Sequence, residues 1–240
     1  MKKTVKRIIL AALVAVLLVG LGIFLYPSFK TAEQTAKAKH IVTDYQTYLI
    51  DAKKADDTEA GDIADCFLSL RQACEQYNAA LPSTQYERLS TESVRSSAIN
   101  LLDYGWEQEV FAYLSIPNAE LEVPVYLGAN NENLNVGAAH LGMTSLPIGG
   151  ENTHCVLAGH RSWNGALMFR NIANLNTGDY VYITNPWETL TYRVIDSRII
   201  SPDDFQQIMI QNGRDLLSIF TCTYPNTHRL MVTCERVSDG

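Results

Sequence analysis

Phe220-Thr221-Cys222-Thr223-Tyr224-Pro225-Asn226-Thr227-His228-Arg229-Leu230-Met231-Val232 is the stretch that decides how this chain folds. Cys222 closes an apolar run, Leu216-Leu217-Ser218-Ile219-Phe220-Thr221, and Arg229 heads another, Leu230-Met231-Val232. Two short runs of strand composition joined by Pro and Asn read as a hairpin. Such a hairpin brings a thiol and a guanidinium to matched levels on neighbouring strands. Upstream, Val156-Leu157-Ala158-Gly159-His160-Arg161 ends another strand-like run with a His. Cys, His and Arg at strand ends suit acyl transfer, as nucleophile, proton carrier and charge stabiliser. They need only meet in the fold. By residue type alone, core packing for the Cys and a structural role for the His stay open.

Working outward, the chain has β character from Trp106 onward. Strands are expected at Val110–Ile116, at Leu121–Tyr126 (where Pro124 suggests an edge or bulge), and from Cys155 to Gly159. A further pair spans Asp179–Thr184 and Thr189–Ile200, around Asn185-Pro186-Trp187-Glu188. Short helices are expected over Ala166–Leu175 and Pro202–Met209. Many short, evenly spaced strands point to a barrel or sandwich. Residues 30–103 read as helical, with Ile63, Cys66, Phe67, Leu70 and Cys74 at helical spacing. Asp56, Asp57, Gly61 and Asp62 mark a break, Leu81-Pro82-Ser83 a stop, and Ser90-Thr91-Glu92 the start of a short third helix.

The N-terminus is a membrane segment. Lys2, Lys3, Lys6 and Arg7 precede an uncharged apolar run from Ile8 to Tyr26, close to the roughly 20 residues a helix needs to cross a bilayer. A cleaved signal peptide has a shorter apolar region ending near a small-residue site. Here Ala36-Lys37-Ala38 lies well beyond the run, so an uncleaved anchor is expected. Basic residues before the run stay cytoplasmic, which puts the rest of the chain outside. No second long apolar run occurs before Gly240, so anchoring is expected from this helix alone.

With 47% hydrophobic residues the chain can bury a core. Its 19 basic and 26 acidic residues give a net charge of -7, and no basic stripe lies beyond the first few residues. Nucleic acid is therefore not an expected partner. The five cysteines match no zinc pattern, and no metal or cofactor is expected. Cys66, Cys74 and Cys155 read as small buried hydrophobes, while Cys234 is a possible neighbour of Cys222. His40 and His154 are expected at the surface. His228 should point away from Cys222 if Arg229 points toward it.

Taken together, these segments resemble the sortase family, in particular its class C, pilin-polymerising branch. Ser218-Ile219-Phe220-Thr221-Cys222 keeps the Thr and Cys of the sortase nucleophile motif. Ala158-Gly159-His160-Arg161 resembles the surroundings of the family's His, as does the segment before it, His140-Leu141-Gly142-Met143-Thr144-Ser145-Leu146-Pro147-Ile148-Gly149-Gly150. Thr227-His228-Arg229-Leu230-Met231-Val232 resembles the strand that carries its Arg. The resemblance covers roughly residues 105–237. It implies a mainly β fold, a closed barrel of about eight strands with short helices, behind an N-terminal transmembrane helix and a helical segment. It divides the chain into a cytoplasmic tip and anchor (1–30), a helical stalk (31–104) and a catalytic barrel (105–240).

The resemblance further implies a cysteine transpeptidase with Cys222 as nucleophile, His160 as acid/base group and Arg229 as oxyanion or substrate stabiliser. Thr221 and His140 take accessory or substrate-binding positions. Substrates are then surface proteins or pilins with a sorting signal of the Leu-Pro-x-Thr-Gly kind. The acceptor is an amine, a pilin lysine or a cell-wall precursor. A water-using cysteine peptidase and a non-catalytic binding module are the alternatives. The chain departs from class C in three places, one being that the second, C-terminal membrane helix common in the class is not seen before Gly240. Its Cys-to-Arg connection is short, with Tyr224-Pro225 in place of the usual Pro-Tyr-Gly, and no Asp-Pro occurs between Leu81 and Trp106. A lid anchored by Asp-Pro is thus not expected, and Cys222 should be open to solvent.

Overall fold

The computed structural model describes residues 2–56, 61–162 and 168–237. Helix α1 (Lys2–Asp56) carries the apolar run and continues past Pro27. The run is exposed along its whole length, in a helix long and apolar enough to cross a membrane. Beyond it, Ala38, Val42, Tyr45, Leu49 and Ala52 are buried. Alternating steps of four and three residues place them on one stripe. That stripe docks on the β-rich part, where the Tyr45 hydroxyl donates to the Phe111 carbonyl at 2.6 Å. Helix α2 (Gly61–Thr84) adds Leu70, Cys74 and Leu81 from one face. Trp106 is fully buried between the helices and the barrel, with edge-on rings of Tyr45, Tyr48 and Phe67 at 6.3, 5.4 and 5.6 Å. Each such pair adds about 0.5–1.5 kcal/mol beyond the area it buries. The break expected at residues 56–62 falls partly outside the described residues. Helix α3 (Thr91–Arg95) begins where Ser90 caps it, its Oγ accepting from Ser93 N at 3.0 Å.

Eight strands follow: β1 (Ala112–Ile116), β2 (Leu121–Leu127), β3 (Ala138–His140), β4 (Thr153–Ala158), β5 (Tyr180–Thr184), β6 (Thr189–Ile200), β7 (Asp215–Cys222) and β8 (Arg229–Arg236). They close into a barrel in the order β1-β2-β3-β4-β7-β8-β6-β5. β2/β3 and β4/β7 pair parallel and the others antiparallel. Closure removes edges, so Pro124 does not mark an edge strand. It is tolerated because pairing with β3 begins only at Val125. A register shift does occur, but in β6 between Val194 and Asp196. The helices expected over 166–175 and 202–209 are 3₁₀ turns at Phe169–Asn174 and Phe205–Ile208; residues 166–167 lie outside the described part. Helix α4 (Asn131–Val136) lies between β2 and β3.

Strand directions gather the site at one end. The C-terminal ends of β1, β4, β6 and β7 and the N-terminal ends of β2, β3, β5 and β8 share one rim. Alternation then sorts side chains. Cys155, Leu157, Leu217, Ile219, Val232 and Cys234 fill the barrel. Val156, Ala158, Phe220 and Met231 lie on the outer face of β4, β7 and β8.

Candidate active site

Cys222 is the last residue of β7 and Arg229 the first of β8, and the two are paired directly across the ladder. Both follow the alternation of Phe220 and Met231, so both belong to the outer face. The turn between them closes through Thr223 N donating to the His228 carbonyl at 3.0 Å, joined by the Thr223 hydroxyl at 3.2 Å. Arg229 Nη1 donates to the same carbonyl at 3.2 Å. Cys222 and Arg229 are both half-buried.

His160 reaches the same level through β4. The β4–β7 ladder runs to Ala158 opposite Phe220, and Gly159 N then donates to the Phe220 carbonyl at 3.1 Å. The Thr221 hydroxyl donates to the Gly159 carbonyl at 2.7 Å, and Thr221 is buried. The residue before His160 is thus held from both sides by β7, and Cys222 and His160 each lie two residues past a paired position. Phe169 N donates to the His160 carbonyl at 3.0 Å. The Phe169 ring fills the space a Cβ on Gly159 would need, so only Gly fits there. His160 is half-buried, and burial pushes its pKa below the usual imidazole range.

Thr221 therefore acts on the spacing of the two strand ends. Thr221→Val keeps the shape and leaves the Gly159 carbonyl short of a partner, which costs about 1–3 kcal/mol. We expect a lower melting temperature and a reduced kcat, with Thr221→Ser close to wild type. Wild-type kcat in Thr221→Val would mean Gly159 is positioned without this hydroxyl.

The outer face of β4, β7 and β8 is walled below the site. Ile208, Leu141 and Met143 join Val156, Ala158 and Met231 in a second apolar cluster, against which Leu89, Val94, Phe205 and Phe220 pack. Buried Gln85 fastens two of these walls. Its Nε2 donates to the Met143 and Ile208 carbonyls, each at 3.3 Å, and its Oε1 accepts from Ile210 N at 3.0 Å. The Val94 carbonyl accepts from Ala129 N at 3.1 Å and Gly142 N at 3.3 Å. These bonds hold the segment before the barrel against the chain that leaves the C-terminal ends of β2 and β3, at the rim opposite Cys222. Cys222 itself is half-buried.

The family model of the sortase domain matches residues 114–237, more than half the chain and the whole segment containing His160, Cys222 and Arg229. The chain belongs to the sortase family. Sortase A of Bacillus anthracis is 28% identical over 167 residues, covering 66% of this chain and 78% of that one. The crystal structure of sortase C-1 from Streptococcus pneumoniae superposes with a TM-score of 0.66 at 30% identity, covering 81% of this chain and all of that one. Sortase C1 from Streptococcus suis is 38% identical, with a TM-score of 0.53, covering 55% of this chain and 75% of that one. The sortase is thus an enzyme of the cysteine transpeptidase type, with class C structures among its neighbours.

Of the other histidines of this sortase, His140 and His154 hold structure, and His228 lies in the exposed turn beside Arg229. His140 pairs with Leu157, on the inward face, and is fully buried. Its Nε2 donates to the Thr144 and Ser145 carbonyls at 3.2 and 3.0 Å, which shapes the loop after β3. His154 corrects the expectation of a surface residue. It lies on the outer face of β4 but is buried, because the segment before β7 covers it. Its Nδ1 donates to the Met209 carbonyl at 3.0 Å and its Nε2 meets the Ser218 hydroxyl at 2.8 Å. His40 and His228 are exposed. All five cysteines are free. Cys234 pairs with Leu217 inside the barrel and is not a neighbour of Cys222. Burial pushes the thiols of Cys74 and Cys234 up to about 12, and that of Cys155 well above its ordinary value. Cys66 is half-buried and was expected inside.

Burial lowers both His140 and His154 to about 4. In the unfolded chain they titrate near 6.5, so between these values the unfolded state binds more protons. Stability is therefore full above about pH 6.5 and falls as pH drops toward 4, by up to about 1.4 kcal/mol per pH unit for each His. Melting temperature measured across that window should fall, and more gently in His154→Gln. A flat profile would show that both rings charge without cost.

Proposed function

We propose that this sortase is a membrane-anchored transpeptidase of the pilin-polymerising type. The direct pairing of Cys222 with Arg229, with His160 tied to the same level through Thr221 and Gly159, carries the reading. Residues 1–30 are the cytoplasmic tip and anchor, 31–104 the helical segment, and 105–240 the catalytic domain, outside the membrane.

The Cys222 thiol gives its proton to His160 and the sulfur attacks the Thr carbonyl of the sorting signal. Arg229 donates to the developing oxyanion or holds the substrate backbone. His160 returns its proton to the departing Gly amine as the C–N bond breaks, leaving a thioester on Cys222. An incoming amine attacks the thioester, its proton passes to His160, and Cys222 leaves as sulfur anion to be reprotonated. Thr221 positions the two strand ends. His140, turned to the barrel interior, supports the loop after β3.

The class C neighbours favour a pilin lysine as the amine, and one Streptococcus pneumoniae sortase C structure is described in terms of pilin substrate specificity. The relatives named sortase A support a second reading, anchoring of surface proteins to a cell-wall precursor. The test is partitioning of the acyl-enzyme. The full chain in detergent receives a Leu-Pro-x-Thr-Gly peptide with a pilin-derived lysine peptide, a cell-wall-type amine, or buffer alone. A lysine amide as main product supports polymerisation, and preference for the wall amine supports anchoring. Hydrolysis alone at saturating amine would make the protein a peptidase.

A further inference from the structure

The rim that carries Cys222, His160 and Arg229 is also the end of the barrel that α1 reaches first on leaving its apolar run. A cleft of about 530 Å³ lies between Thr31, Thr35 and Lys39 of α1 and the β1–β2 connection, Pro117 and Glu120 among its walls. Those barrel residues belong to the C-terminal end of β1 and the N-terminal end of β2, which share the site's rim. Further along α1, Tyr45 bonds to Phe111, before the start of β1 and toward the opposite rim. The helix thus climbs the barrel from the site end to the far end. At 1.5 Å per residue, Thr31 is about 8 Å and Lys39 about 20 Å beyond Tyr26, where the apolar run stops.

A second observation concerns the barrel surface, of which Val136 also lines that cleft. Among the described barrel residues, the exposed large hydrophobics are Val136 (42%), Tyr180 (47%), Ile199 (66%) and Tyr224 (87%). Val136 precedes β3, Tyr180 starts β5, Ile199 is near the end of β6, and Tyr224 lies between β7 and β8. By strand direction all four lie toward the site's end, with Ile199 and Tyr224 at its tip beside the Cys222–Arg229 pair and Tyr180 further down, opposite Arg193. An exposed Tyr and an aliphatic tip side by side are what a protein presents to the headgroup layer of a bilayer.

We infer that this rim lies against the outer leaflet, with Ile199 and Tyr224 at headgroup level and α1 setting the height. Glu120 and Glu122 at the cleft keep the contact with headgroups and not with acyl chains. Cys222 then opens toward chains that leave the same leaflet. The inference rests on the proposed membrane anchor and on the proposed catalytic role of the rim, and the experiment separates it from both.

The full chain is reconstituted in phosphatidylcholine–phosphatidylglycerol vesicles containing a lipid with a nitroxide on its headgroup. Tryptophan is introduced by Ile199→Trp at the site's rim, or by Asn212→Trp, exposed before β7 at the opposite rim. Emission is measured against the parent chain. The expected result is at least twofold stronger quenching for Ile199→Trp than for Asn212→Trp. Seven helical residues inserted between Tyr26 and Pro27, which raise the barrel by about 10 Å, should abolish that difference. The insertion should also lower activity on a vesicle-tethered sorting signal about tenfold or more, while a soluble signal peptide is cleaved within twofold of wild type. Equal quenching at both rims, or a contrast that survives the insertion, would overturn the inference. Loss of activity on both substrates in the uninserted chain would count against the proposed catalysis, and the quenching contrast alone would then decide the orientation.

Discussion

Cys222→Ala is expected to remove peptide cleavage and transpeptidation together, with the melting temperature nearly unchanged. Cys222 ends β7 on the outer face, half-buried at the rim, so trimming its sulfur leaves no cavity in the barrel. A stability change within about 1 kcal/mol is expected. Loss of a nucleophile that acts as a unit with its base costs on the order of 10⁶-fold. Cys66→Ala is the matched control, since Cys66 is half-buried on α2, away from the rim. Cleavage by Cys222→Ala within tenfold of wild type, with unchanged circular dichroism, would remove Cys222 from the mechanism.

Arg229 and His160 carry the second large effect. Arg229→Ala should lower kcat/KM by about 10²–10³-fold, the usual cost of one lost oxyanion donor. Arg229→Lys should not restore it, because a point charge on a flexible stem lacks the planar fork of the guanidinium. His160→Ala should cost about 10²–10⁴-fold. His140 offers no rescue, being fully buried with its Nε2 committed to two carbonyls on the inward face. Initial rates with a fluorogenic Leu-Pro-x-Thr-Gly peptide measure all three. A His160→Ala enzyme of near wild-type rate would hand the proton transfers to another group, and an active Arg229→Lys would reduce Arg229 to a general positive charge.

The hairpin from β7 to β8 was legible because two short apolar runs flank a Pro/Asn turn, and its register places Cys222 opposite Arg229 as read. The closed barrel was legible mainly through resemblance to the sortase family, since strand spacing alone left a sandwich open. β3 escaped because Ala138–His140 is three residues long, too short to show a period. The burial of His154 escaped for a different reason. The outer face of β4 is covered by the segment around Ile208 and Met209, so both faces of the strand are dry. Asn78 and Gln85, polar residues from the helical stretch, each clamp backbone of the barrel's loops. No local pattern announces such long-range bonds. The docking of residues 89–97 at the far rim escaped because its contacts run through the backbone of Val94, with Gly128 and Gly142 leaving room for the chain.

Intact-mass measurement of the sortase quenched in acid during turnover of a Leu-Pro-x-Thr-Gly peptide tests the central claim most directly. The account predicts a species heavier by the acyl fragment ending in Thr, carried on the proteolytic fragment that contains Cys222. It should be discharged by added amine and be absent from Cys222→Ala. Acylation mapped to Cys66, Cys74, Cys155 or Cys234, or steady turnover with no covalent species and no dependence on Cys222, would contradict it.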